Sequence, residues 1–155
     1  MYRIFNPIIA LLHRKEVNNL IVRNTSIYPT TRVKELVKFA VNSFHTRVCI
    51  NVKNSSNAYG GYAYHDIPSI SNAPISSRYL VTIRIGKPSQ FPCKNYGSTL
   101  YKRVPEFDFL SWEEALVAVV AHELQHVRQF VRRLPISESK ATLAEYKKLM
   151  EFRSK

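Results

Sequence analysis

Two histidines four residues apart, with a glutamate directly after the first, stand at His122-Glu123-Leu124-Gln125-His126. Residues four apart on a helix lie one turn above each other, so both imidazoles would reach into the same space. There they could bind one zinc ion (Zn2+) through nitrogen. Glu123, rotated around the helix from His122, would sit beside the metal without binding it. From that place a carboxylate could take a proton from a water on the metal and pass it to a leaving amine. The pattern requires a helix, and one is legible. Ser111-Trp112-Glu113-Glu114 reads as a capping box, and an apolar run through Leu116, Val117, Val119 and Val120 follows. No Gly or Pro interrupts the segment, which should end near Val131 or Arg133, before Pro135.

A catalytic zinc takes three protein ligands and keeps one position open. No histidine follows His126, and Gln129 and Arg132 stand where an extended HExxHxxGxxH pattern needs Gly and His, which excludes a metzincin. Glu138, Glu145 and Glu151 remain as downstream carboxylates, on a second helix that Ser137 would cap. In a simple antiparallel hairpin turning near Pro135, the level of His126 is matched about nine residues beyond the turn, at ~1.5 Å per residue, which favours Glu145. If the first helix ends soon after His126 and the second crosses it steeply, Glu138 fits instead.

The string Val119-Val120-Ala121-His122-Glu123-Leu124-Gln125-His126-Val127, followed by Glu138-Ser139-Lys140-Ala141 as an ExxA, resembles the active-site core of gluzincin-type zinc metallopeptidases. The order of elements is similar to that of the small single-domain members, the minigluzincins. The resemblance implies a zincin-like fold, in which a small mixed sheet with one packed helix precedes an active-site helix and a glutamate-bearing helix. It implies His122, His126 and Glu138 as metal ligands and Glu123 as general base. It also implies an extended peptide substrate pairing along an edge strand over the cleft, a role expected here of Tyr79 to Ile85. Arg128 departs from the pattern, since such enzymes place an apolar residue there. An oxyanion stabiliser is also needed, and Tyr146 is a candidate.

The elements that must carry this site follow from periodicity. Leu20 to Arg23 suits a first strand. Val33, Leu36, Val37, Ala40, Val41 and Phe44 fall at helical spacing after Pro29, with Thr30 or Thr31 as N-cap. Arg47 to Val52 and Tyr79 to Ile85 alternate as strands, and a short strand is expected around Gly61 to His65. Residues 87 to 110, with Pro88, Pro92, Gly97 and Pro105, read as a long loop of the kind that often carries function. Strands and one helix followed by two packed helices make the class α+β, in one domain over residues 1–155 with an N-terminal extension over 1–18.

Composition narrows the partners. Of 155 residues 45% are hydrophobic and only four are Gly, which excludes collagen, coiled coil and wholesale disorder. The net charge of +12 points first to nucleic acid. It is uneven: nine basic and two acidic groups lie in residues 1–53, but eight and six in residues 111–155. No basic run of five occurs and no helix-turn-helix or zinc-finger signature is present, so a nucleic-acid-associated protein is the alternative reading. SprT-like proteases combine HExxH with DNA binding but take a third His, which this chain lacks; a metal-binding but inactive regulator is a further alternative. Tyr59, Tyr62 and Tyr64 could stack on bases or pack a strand, and His13, His45 and His65 read as isolated surface residues. Cys49 and Cys93 are too few for a disulfide scaffold. The apolar stretch Ile4 to Leu12 is too short to span a bilayer and lacks a cleavage site, so a cytoplasmic protein without membrane attachment is expected.

Overall fold

The computed structural model describes residues 20–42, 46–67, 73 and 77–155. Phe44, His45, His13 and the 1–18 extension lie outside them. The fold is α+β, as the periodicities imply. Its strands are β1 (Leu20–Asn24), β2 (Val48–Asn54), β3 (Tyr59–Tyr64), β4 (Tyr79–Ile85), β5 (Cys93–Lys94) and β6 (Asp108–Phe109). Its helices are α1 (Thr30–Val41), α2 (Tyr96–Leu100), α3 (Trp112–Val131) and α4 (Glu138–Arg153).

The main sheet runs β1-β2-β4-β3. The first three strands are parallel, with Val22 opposite Ile50 and Ile50 opposite Val81. β3 closes one edge antiparallel to β4, with Gly61 opposite Ile83. Tyr79–Ile85 is therefore an interior strand, and the expectation that it offers an edge to a peptide is corrected: β2 and β3 already take both of its edges. Its burial says the same, since Leu80 and Thr82 are covered as well as Val81, Ile83 and Ile85. β2 is likewise more than half-buried, Cys49 being as covered as Val48 and Ile50. β5 and β6 pair inside the expected loop as a two-stranded ribbon.

Helix α3 is the centre of the molecule, packed against α1, α4, β3 and β4. From Ala115 to Ala121 every side chain is buried, the pattern of a helix covered on all sides. α1 lays Val33, Leu36, Val37, Ala40 and Val41 on this core. Its N-cap is Pro29, which makes no side-chain bond, rather than Thr30 or Thr31, because the chain enters helical geometry one residue early. Tyr28 stacks on Trp112 at 3.9 Å between ring centroids and ties β1–α1 to the start of α3.

The α3 N-terminus is capped largely as its sequence implies. Ser111 Oγ accepts from the Glu114 amide at 3.2 Å, and Glu114 Oε1 reaches back to accept from Leu110 N at 2.9 Å, one residue before the cap. The same carboxylate accepts two bonds from Arg153, from Nε and from Nη2, each at 2.8 Å, pinning the end of α4 to the start of α3. Burial alone would raise the Glu114 pKa, but the Arg153 bonds, the Leu110 amide and the arginine charge together hold it below its usual value. A carboxyl depressed in this way contributes stability above the unfolded value of about 4.5 and loses it as pH falls through the folded value. Glu114→Gln is thus expected to lower stability near pH 7 by about 1–3 kcal/mol. Urea unfolding at falling pH should show the gap between variant and wild type closing once both side chains are neutral; a gap unchanged in acid would contradict this.

Candidate metal centre

His122 and His126 emerge from α3 one turn apart, with ring centroids separated by 5.1 Å. Glu138, the first residue of α4, faces both. Its Oε2 lies 3.0 Å from His122 Nε2 and its Oε1 lies 3.0 Å from His126 Nε2. One ligand-type atom from each of these three residues lies within 4.8 Å of the others. Ser137 caps α4 by accepting from Lys140 N at 3.2 Å, and so fixes where Glu138 begins the helix.

The other ring nitrogens are engaged behind the cluster. His122 Nδ1 lies 2.8 Å from Glu145 Oε2. A carboxylate oxygen only accepts, so Nδ1 donates to Glu145, and Nε2, which faces Glu138, is the nitrogen turned to the cleft. His126 Nδ1 lies 2.9 Å from the amide oxygen of Gln129, which also accepts from Ser137 N at 3.2 Å. Gln129 returns a bond from Nε2 to the Ser137 carbonyl at 3.3 Å. One buried amide therefore orients His126 and fastens the turn that delivers Glu138.

Glu138 and Glu145 both touch His122, on opposite ring nitrogens, from the first and second turns of α4. Glu145 is held from the far side by Asn95 Nδ2 at 2.7 Å. Asn95 caps α2, accepting from Ser98 N at 2.8 Å, and Ser98 Oγ accepts from Phe107 N at 3.2 Å. The long loop of residues 87–110 is thus the outer support of the histidine pair.

Glu123 is buried beside the cluster. Burial raises its pKa, the two histidines lower it, and Glu138 and Glu145 raise it; the net direction is up. For His122, burial lowers the pKa, but the Glu145 bond and the charges of Glu145, Glu123 and Glu138 overcome this and raise it to about 9. Three carboxylates around two imidazoles make a pocket of negative potential that draws cations.

Opposite Glu123 the wall is β3. A Cβ on Gly61 would lie 2.8 Å from Glu123 Oε1 and 2.9 Å from Val119 Cγ1, so only glycine allows the edge strand to come this close to α3. Two hollows meet here, sharing Gly61, His122, Glu123 and Glu138. One, of about 450 Å³, extends toward Phe130, Ile136 and His65. The other, of about 290 Å³, extends toward Tyr96, Tyr101 and Thr142. The cleft therefore runs on both sides of the histidine pair.

The remaining candidates lie elsewhere. Tyr146 packs on Phe107 at 5.5 Å between centroids and lines neither hollow, so its assignment to an oxyanion is corrected to core packing. Tyr59 sits edge-on to Phe109 and accepts from Tyr96 N at 3.0 Å, with burial pushing its pKa up to about 12. Tyr62 and Tyr64 pair at 4.7 Å, with Tyr62 largely exposed. His65 lies edge-on to Phe130 at the cleft rim. Cys49 and Cys93 are free thiols. Among the described residues no helix is long and apolar enough to cross a membrane. Asn95 and Gln129 were not singled out by sequence reasoning. Each carried a local signal: Asn95 precedes Ser98 by the three residues of an N-cap, and Gln129 follows His126 at i+3 on one helix face.

Comparison with protein-family models, with curated proteins and with solved structures finds no match to this chain.

Gln129→Ala removes the acceptor of His126 Nδ1 and both bonds to Ser137. Chemical denaturation should show a loss of about 2–4 kcal/mol, in the range for breaking a buried network; a loss below about 1 kcal/mol would mean that Gln129 does not hold the α3–α4 turn.

Proposed function

We propose that the protein is a zinc-dependent metallopeptidase that hydrolyses peptide bonds in the cleft between β3 and α3. The observation that carries this reading is the convergence of His122 Nε2 and His126 Nε2 on the two oxygens of Glu138, while Glu145 and Gln129 engage the opposite nitrogens. Two imidazoles and one carboxylate, with their outer partners in place, fit the chemistry of a catalytic zinc site. His122, His126 and Glu138 would hold the ion. Bound zinc lowers the pKa of water toward neutrality and polarises a carbonyl.

The chain's own residues supply the rest. Glu123 has no partner role in the ligand set and a pKa raised by burial, which suits a group that accepts a proton from the attacking water and returns it to the amine nitrogen as the C–N bond breaks. Gly61 keeps that carboxylate against the edge strand, next to where a scissile bond would lie. β3 is the edge of the sheet, so an extended peptide could pair along its free side and run through both hollows. With Nδ1 donating to Glu145, which Asn95 holds in turn, Nε2 would be the nitrogen that His122 offers to a metal.

Metal analysis and proteolysis of an unfolded protein substrate test this together. Wild type should carry one zinc per chain and cleave; Glu123→Gln should keep the zinc and lose cleavage by a factor of about 10² or more. Stoichiometric zinc with no cleavage by wild type would instead favour a metal-binding regulator. Glu138→Ala should abolish zinc retention, whereas Glu145→Ala should weaken it about 10–100-fold as an outer partner. Zinc lost on Glu145→Ala and kept on Glu138→Ala would overturn the ligand assignment.

A further inference from the structure

A hollow lies on the opposite side of α3 from the histidine pair. It has a volume of about 560 Å³ and is bounded by the end of α1, the back of α3 and one face of α4. Five cations line it, Arg103, Arg128, Lys140, Lys147 and Lys148, against the single carboxylate of Glu151. They come from three separate parts of the chain: the 87–110 loop, α3 and α4.

Arg103 Nε donates to Ser139 Oγ at 2.8 Å, and Lys148 Nζ lies 3.0 Å from Glu151 Oε2 and 5.2 Å from the centre of the Phe39 ring. Lys140 and Lys147 are exposed, seven residues apart on one face of α4. Arg128 is only partly exposed, and burial together with the nearby Arg132 lowers its pKa. The floor between the cations is apolar, formed by Ala121, Leu124, Leu143 and Ala144.

Five cations and one carboxylate around a concavity attract an anion, an attraction that salt screens. The metal chemistry of the cleft makes no use of them. Arg128 lies on the wall of this hollow.

We propose that this hollow binds a small, multiply phosphorylated molecule, whose clustered phosphates are held by Arg103, Arg128, Lys140, Lys147 and Lys148. A compact ligand is favoured over a nucleic-acid strand by the shape. The volume falls in the range of small-molecule sites, and the lining cations come from the 87–110 loop, α3 and α4. The phosphates could be those of a free polyphosphate or of a nucleotide, whose organic body would rest on the apolar floor. The site is independent of the metal centre: α3 presents its histidines to the cleft and Ala121, Leu124, Gln125 and Arg128 to this hollow.

Calorimetric titration of the full chain with tripolyphosphate, with ATP and with a 20-residue oligothymidylate tests the proposal. Tripolyphosphate should bind at one site, weaken with added salt and be unaffected by His126→Ala, which separates it from chelation at the metal centre. ATP binding more tightly than tripolyphosphate identifies the nucleotide as the source; equal or weaker ATP binding identifies free polyphosphate. Lys140→Gln/Lys147→Gln, both exposed positions, should weaken binding at least about tenfold, and Arg128→Lys should retain most of it. Unchanged affinity in the double variant, loss of binding on His126→Ala, no saturation at low salt, or binding of the oligothymidylate alone would each overturn it.

Discussion

A carboxylate buried between two helices and a loop has to find partners or be driven out, because transferring an unpaired charge from water to a protein interior is costly. Glu145 meets that demand with His122 on one oxygen and Asn95 on the other. Three segments that are distant in sequence are thereby tied at one point. α3 supplies the histidine, α4 the carboxylate, and the loop before α3 the amide. The rest of the site follows from this junction. With Nδ1 of His122 bonded to Glu145 in the second turn of α4, Nε2 faces Glu138 in its first turn. Gln129 does for His126 what Glu145 does for His122, using an amide in place of a carboxylate.

Charge is distributed across α3 in a way that separates two kinds of chemistry. On its cleft side Glu123, Glu138 and Glu145 surround two imidazoles, a potential suited to a cation. On its reverse side Arg128 and the lysines of α4 surround a hollow suited to an anion. The net charge of +12 conceals both, since it averages a negative cleft with a positive back. Composition describes the total, and placement on helix faces decides what each face can hold.

Much of the fold was legible because its signals are local. The alternation of β4, the cap at Ser111 and the helical spacing of α1 each depend on near neighbours, and the elements formed there. HELQH on a capped helix told where to look, since spacing of four and helix geometry bring the rings together whatever surrounds them. What was not legible depends on tertiary pairing. A short strand around Gly61 to His65 is legible, but its place at one edge of the sheet, where a Cβ at Gly61 would crowd Glu123 and Val119, is not. β4 looked like a possible edge only because pairing on both sides does not show in one strand's alternation. Glu145 lies with Ala141 and Leu149 on the buried face of α4, a place where periodicity expects an apolar side chain. Its role emerges only when Asn95, fifty residues earlier, is brought beside it.

The central claim is that His122, His126 and Glu138 form one metal centre with Glu145 behind it. Crystals of the zinc-saturated protein measured on both sides of the zinc absorption edge test it most directly. The account predicts a single anomalous peak enclosed by His122 Nε2, His126 Nε2 and the Glu138 carboxylate, with Glu145 still bonded to His122 Nδ1. A peak bound to Glu145, a peak elsewhere on the chain, or no peak at saturating zinc would contradict it.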